Sequence, residues 1–147
     1  MIQIPQEFKE FLSILNSNKV DYILIGGYAI NMYGYSRPTG DIDIWVRMDK
    51  DNAVKIKNAL IEFDFQSENI NSDYFLIPNN LLRIGFFPLR IEIMTTIDGV
   101  EFEECFNNST IREVDGVDIR VISLDDLKKN KKTSGRFKDL DDLQKLG

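Results

Sequence analysis

Asp41 and Asp43 are separated by one apolar residue, Ile42, and follow a glycine pair, Gly26-Gly27, after thirteen intervening residues. Successive side chains alternate along an extended strand, so the two carboxylates project from one face and Ile42 from the other. Side by side they repel each other and gain most by sharing hard cations such as Mg²⁺, whose oxygen coordination is completed by water and substrate phosphates. A glycine pair at the end of a strand exposes backbone N–H groups at a helix start, where an anion such as a triphosphate is favoured. Each signal alone has a plainer reading, a tight turn or a solvated strand edge. Together with an isolated third acid in Ile91-Glu92-Ile93, they supply carboxylates that could converge on two metal ions. The chemistry implied is metal-assisted phosphoryl transfer.

Composition narrows the alternatives. The chain contains no histidine, which excludes Ser-His-Asp and Cys-His nucleophile pairs and every His-ligated zinc site. Its single cysteine, Cys105, falls in the phenylalanine-rich stretch EFEECF, where a buried structural role is expected. Catalysis must therefore rest on carboxylates, bases, hydroxyls and metal. The net charge is −6, yet residues 128–138 (KKNKKTSGRFK) carry six bases and no acid, leaving twelve bases against twenty-four acids elsewhere. Such a basic segment is either a solvated helix face or a polyanion contact. No run of eighteen apolar residues occurs and the N-terminus turns polar within ten residues, so neither a membrane span nor a signal peptide is expected and the location expected is cytoplasmic.

The elements that must position these residues can be traced along the 147 residues, which suit one domain over 1–147. Phe8, Phe11, Leu12 and Leu15 predict a helix from Pro5 to near Asn18; Tyr22 to Ile25 predict a buried strand; Tyr28 to Tyr33 predict a short helix stopped by Gly34. Asp41 to Arg47 alternates as a half-buried strand, and Ala53, Ile56, Leu60 and Phe63 mark a second helix capped by Asp49 or Asp51. Residues 66–79 read as a loop with one short extended piece. Leu81–Phe86 and Leu89–Met94 predict two strands joined at Phe87-Pro88, with Arg90 and Glu92 on one face. Phe102, Cys105 and Phe106 suggest a short helix, and Asp115-Gly116 a tight hairpin turn between Ile111–Val114 and Val117–Ile122. Ser123 to Asp126 opens a helix as a capping box, and Leu140, Leu143 and Leu146 mark a last one. The class is α+β, a mixed and mostly antiparallel sheet flanked by helices.

With Ile25-Gly26-Gly27, Asp41-Ile42-Asp43-Ile44 and Ile91-Glu92-Ile93 in this order, the chain resembles the nucleotidyltransferase superfamily of the DNA polymerase β-like fold. The stretches GGYAINMYGYSRPTGDIDIWV and VISLDDLKKNKKTSGRFKDLDDL resemble small bacterial members related to abortive-infection and toxin–antitoxin nucleotidyltransferases, and the resemblance spans roughly residues 21 to 146. It implies that Asp41, Asp43 and Glu92 ligate two Mg²⁺ ions, with Mn²⁺ as a substitute, and that an NMP passes from an NTP to a hydroxyl acceptor with release of pyrophosphate. It further implies nucleotide contacts from Gly26, Gly27, Lys131, Arg136 and Lys138, and Asp139 is expected as a structural partner of one of these bases. Arg37 either meets the triphosphate or neutralises Asp41 and Asp43.

Asp118 and Asp98 are rivals for the third acid, and Glu92 is preferred because its neighbours make the longer strand. Tyr28, Tyr33, Tyr35 and Trp45 are candidates for stacking a base or for the core. The acceptor, an RNA, a protein or a small molecule, would be held by the final helices, at a homodimer interface or by a cognate partner protein. A non-catalytic nucleotide-binding or toxin–antitoxin module, and a nuclease or phosphatase using the same acids, are the alternatives.

Overall fold

The computed structural model describes residues 4–35, 40–65, 70–86 and 88–146. Its elements run α1 (Gln6–Ser17), β1 (Tyr22–Ile25), α2 (Gly26–Met32), β2 (Asp41–Val46), α3 (Lys50–Glu62), a 3₁₀ turn (Ser72–Leu76), β3 (Leu81–Phe86), β4 (Leu89–Met94), α4 (Phe102–Asn108), β5 (Thr110–Val114), β6 (Val117–Val121), α5 (Leu124–Ser134) and α6 (Phe137–Leu146). Local chemistry sets their ends. Asp49 caps α3 by accepting a bond from the Asn52 amide at 2.7 Å, and Ser123 caps α5 through the Asp126 amide at 3.2 Å. Asp115 and Gly116 both take positive φ, 51° and 82°, as a two-residue hairpin turn between right-twisted strands requires. Residues 70–79 depart from expectation: where a short extended piece was anticipated, Asn71 accepts a bond from the Asp73 amide and starts the 3₁₀ turn that buries Phe75. Residues 66–69 lie outside the described residues.

The sheet has the order β3-β4-β2-β1-β6-β5. Pairs β3/β4, β1/β2 and β5/β6 are antiparallel, while β2/β4 and β1/β6 are parallel, so the expected mixed and mostly antiparallel sheet is found. Its two faces differ in chemistry. On one, Leu24, Ile42, Ile44, Ile91 and Ile93 stand in register and are buried in the core together with Phe8, Phe11 and Leu12 of α1 and Ile56 and Leu60 of α3. On the other, the rows of β2 and β4 begin with charged residues and turn apolar at Trp45. The Trp45 indole donates to the Thr95 carbonyl at 3.1 Å and meets Phe102 of α4 edge to face, so α4 seals that end. The charged end is left open as a cleft.

Candidate active site

The parallel register of β2 and β4 sets Asp41 opposite Arg90 and Asp43 opposite Glu92, and the antiparallel register of β3 and β4 sets Arg83 opposite Glu92. The three expected acids therefore share one sheet face, as neighbours across and along two strands. Among the described residues two arginines pair with these acids. Arg90 binds Asp41 through both oxygens, Nε to Oδ1 at 3.0 Å and Nη2 to Oδ2 at 3.2 Å, and Arg83 Nε binds Glu92 Oε1 at 3.0 Å.

The glycine pair stands against this face. Gly26 opens α2 with φ +71°, a conformation that favours glycine, and a Cβ at this position would collide with Asp43 Oδ2. The backbone of β1 and α2 can approach the carboxylate only because residue 26 has no side chain. Burial, and then the charge of Asp41, hold the Tyr28 phenol above its ordinary pKa.

Around these groups lies a cleft of about 760 Å³. Gly26, Gly27, Asp41, Asp43 and Glu92 line it together with Asn130, Lys131, Ser134 and Arg136 from α5 and the turn that follows. Asn79, Asn80, Thr96 and Asp98 add polar groups from the segments flanking β3 and β4. Asn130 donates to the Asp98 carbonyl at 2.9 Å and fastens α5 to this rim. Of the two rival acids, Asp98 lies in the cleft, whereas Asp118 is exposed on the β5/β6 hairpin.

The bases of the C-terminal segment separate into different roles. Lys131 was expected at phosphate, yet its buried ammonium lies 3.0 Å from Asp139 and 3.3 Å from Asp142, both themselves buried. Charges removed from water need such partners, so the ammonium is committed to joining α5 and α6. Asp139 also accepts from Ser134 and from Arg136 Nε, each at 2.6 Å. Burial pushes its carboxyl up, and the hydrogen bonds from Ser134, Arg136 and Lys131 outweigh that and bring it to about 2. Arg136 is 70% exposed and keeps its charge in the cleft; its pKa is raised chiefly by the bond to Asp139, against burial, and further by the charges of Asp139, Asp43 and Asp98. Arg37 and the side chain of Lys138 lie outside the described residues.

Among the aromatic candidates, Tyr28 and Trp45 are buried, Tyr33 donates to the Ile122 carbonyl at 2.5 Å, and Tyr35 is partly exposed. Cys105 is buried in the core, and burial, with Asp126 beside it, pushes its thiol up to about 12, far from a nucleophile.

The sequence matches, over residues 5–147, a family described as nucleotidyl transferases of unknown function. The chain belongs to this nucleotidyl transferase family. Two solved structures share the fold. A Thermotoga maritima protein assigned as a nucleotidyltransferase superposes with a TM-score of 0.63 at 20% identity, over 94% of this chain and 88% of its own. An antigenic nucleotidyltransferase-like protein from Paracoccidioides brasiliensis gives a TM-score of 0.55 at 16% identity, over 95% of this chain and 75% of its own. No curated protein gives a significant match. Among the described residues no helix of this nucleotidyl transferase is long and apolar enough to cross a membrane.

Members of the superfamily work with divalent metal ions, and the donor chemistry here fits such a group: three hard carboxylates on one face, with Gly26 leaving room at Asp43. Among the described residues, however, no three acids are drawn together closely enough to hold a metal as they stand. Arg90 and Arg83 hold two of the three in ion pairs. Sequence reasoning had set Arg90 on the face of Glu92 but missed these pairings. Closing the β3/β4 hairpin with Phe86 opposite Leu89 puts Arg83 opposite Glu92 by count alone, a signal that was available.

Proposed function

We propose that the protein is a Mg²⁺-dependent nucleotidyltransferase that moves an NMP from an NTP to a hydroxyl acceptor and releases pyrophosphate. The observation that carries this reading is the alignment of Asp41, Asp43 and Glu92 on one face beside the Gly26 turn, in a chain of this family. Asp41 and Asp43 would hold the cations, with Glu92 as the third ligand. When bound, divalent cations supply charge neutralisation at the phosphates and in-line positioning of the α-phosphorus. The acceptor oxygen forms its bond to that phosphorus as the bond to the β-phosphate oxygen breaks, and Glu92 helps to take up the hydroxyl proton. Gly26 and Gly27 would let the triphosphate approach the backbone, and Arg136 would meet its negative charge from the opposite element. Lys131 would act at one remove, by fixing α6 and hence Asp139 and Arg136. Arg37 and Lys138 remain proposed phosphate contacts on the sequence pattern.

The test combines the protein with α-labelled NTPs, Mg²⁺ or Mn²⁺, and cellular RNA, protein and metabolite fractions. Transfer of label with release of pyrophosphate, lost in Asp43→Ala, is the expected result. Absence of any Asp43-dependent transfer counts against catalysis and for the nucleotide-binding module. Inorganic phosphate or nucleotide fragments as products would instead identify a phosphatase or nuclease.

A further inference from the structure

The two arginines on the acidic face are neither core groups nor solvent-facing bystanders. Arg90 and Asp41 are each about one-third exposed, at 33% and 31%, and Arg83 is 59% exposed over a Glu92 that is 13% exposed. Ion pairs this accessible contribute little net stability, so a competing charge can displace either partner. Both arginines also lie in the cleft that contains all three acids. A carboxylate that leaves a guanidinium for a doubly charged cation strands an arginine within the same cleft, and that fork matches phosphate oxygens as well as it matches carboxylate.

We propose that Arg83 and Arg90 are exchangeable counter-ions: they hold Glu92 and Asp41 until divalent cations take those carboxylates, and the released guanidiniums then bind the phosphate oxygens of the incoming nucleotide. The exchange rests on the metal and triphosphate reading above and extends it to two residues and to an order of events. It makes each arginine act with opposite sign on the two ligands. Without phosphate it competes with the cation; with the cation in place it attracts phosphate. A purely structural ion pair has no reason to show that reversal. Arg136 differs, because Asp139, which holds it, is fully buried and already takes bonds from Ser134 and Lys131, so no cation can relieve it of its partner.

The experiment uses the full chain with two probes, Mn²⁺ alone, followed by electron paramagnetic resonance, and inorganic tripolyphosphate added to Mn²⁺-saturated protein, followed by calorimetry. Arg83→Gln and Arg90→Gln are each expected to tighten Mn²⁺ by about three- to tenfold and to weaken tripolyphosphate by about tenfold. Arg83→Lys and Arg90→Lys, which keep the charge and lose the fork, should leave Mn²⁺ near the wild-type value and still weaken tripolyphosphate; they carry the tripolyphosphate arm if a glutamine variant does not fold. Shifts of one sign on both probes, or no shift on either, overturn the exchange. Asp43→Ala separates the two levels. If it leaves Mn²⁺ affinity unchanged, the carboxylate metal site itself falls and the exchange with it. If it abolishes Mn²⁺ binding while the arginine variants behave as wild type, the exchange alone falls.

Discussion

Two clusters of opposite charges, one on the sheet and one between α5 and α6, differ in how far water can reach them. On the sheet, Asp41, Asp43 and Glu92 stand among Arg83 and Arg90, whose side chains are 59% and 33% exposed. Between α5 and α6, Lys131 is 4% exposed and Asp139 and Asp142 are 0% and 1% exposed. The residue types are alike, but burial decides their use. A buried pair is expensive to separate, so the helical cluster behaves as a fastening, whereas a half-solvated pair can exchange its partner for a ligand at small cost. Among the described residues the sheet side carries the carboxylates of Asp41, Asp43 and Glu92 and the paired guanidiniums of Arg83 and Arg90, and a bound cation would add to that compensation.

The sharpest way to break this contrast is to remove one charge from each cluster and ask what fails. Asp43→Asn should lower nucleotidyl transfer by about 10³-fold or more, roughly 4 kcal/mol in transition-state terms, while urea unfolding stays within about 1 kcal/mol of wild type. Lys131→Met should do the reverse. It leaves two buried carboxylates without their ammonium and should cost about 3–5 kcal/mol of stability. Adding Asp142→Asn to Lys131→Met should recover part of that loss, because one of the two buried negative charges disappears. If Lys131→Met unfolds like wild type but loses tripolyphosphate binding, the assignment of the lysine to the fold is wrong.

Gly26→Ala joins the two properties at one position. The substitution forces an L side chain to φ +71° and drives its Cβ into Asp43 Oδ2. It should cost about 1–3 kcal/mol of stability and depress transfer more than that loss of folded protein explains. Gly34→Ala is the control, since residue 34 also has positive φ, +98°, but a Cβ there meets nothing within 4 Å. It should show backbone strain and normal specific activity once folded protein is quantified.

Acid titration sharpens the helical side further. The folded pKa of Asp139 is about 2 against an ordinary value of 3.8, so its contribution is fully present above pH 4 and is lost as the pH falls toward 2. About 2 kcal/mol of unfolding free energy should vanish across that window. Asp139→Asn should be less stable at neutral pH and lose this part of the acid dependence, as followed by urea unfolding at successive pH values.

How much of this could be seen beforehand depended on whether a local pattern carried it. The alternation of Asp41-Ile42-Asp43-Ile44 states its own two-faced strand, and Asp115-Gly116 states its own turn, so both were legible without knowing any neighbour. Of the buried acids of α6, Asp139 was expected as a structural partner of one of the bases Lys131, Arg136 and Lys138, and it pairs with Lys131 and Arg136. The burial of Asp142 was not legible. It shares a helical stripe with Asp139 and Leu146, but aspartate looks like solvent-facing sequence until Lys131 is known to lie opposite, and Leu140, expected in the apolar stripe, is 47% exposed. The same applies to residues 70–79, where the bond that the Asn71 side chain accepts from the Asp73 amide decided the turn and no periodicity announced it. Placing Asp43 beside Glu92 needed strand order as well as strand position, and the parallel crossover that brings β4 beside β2 is a tertiary fact.

The smallest predicted effect is the most discriminating for the sheet side. Arg83→Ala removes the partner of Glu92, and if that pair were a fastening like Lys131 with Asp139 the protein should lose several kcal/mol. With the arginine side chain 59% exposed, screening and side-chain entropy offset most of the attraction, and the expected change in urea unfolding is about 0.5 kcal/mol or less, shrinking further in high salt. Glu92 keeps enough contact with the cleft to be hydrated when its arginine is gone, so no buried orphan charge is created. A loss above about 2 kcal/mol would mean that the arginine row is structural, and that burial does not divide the two clusters as their exposures indicate.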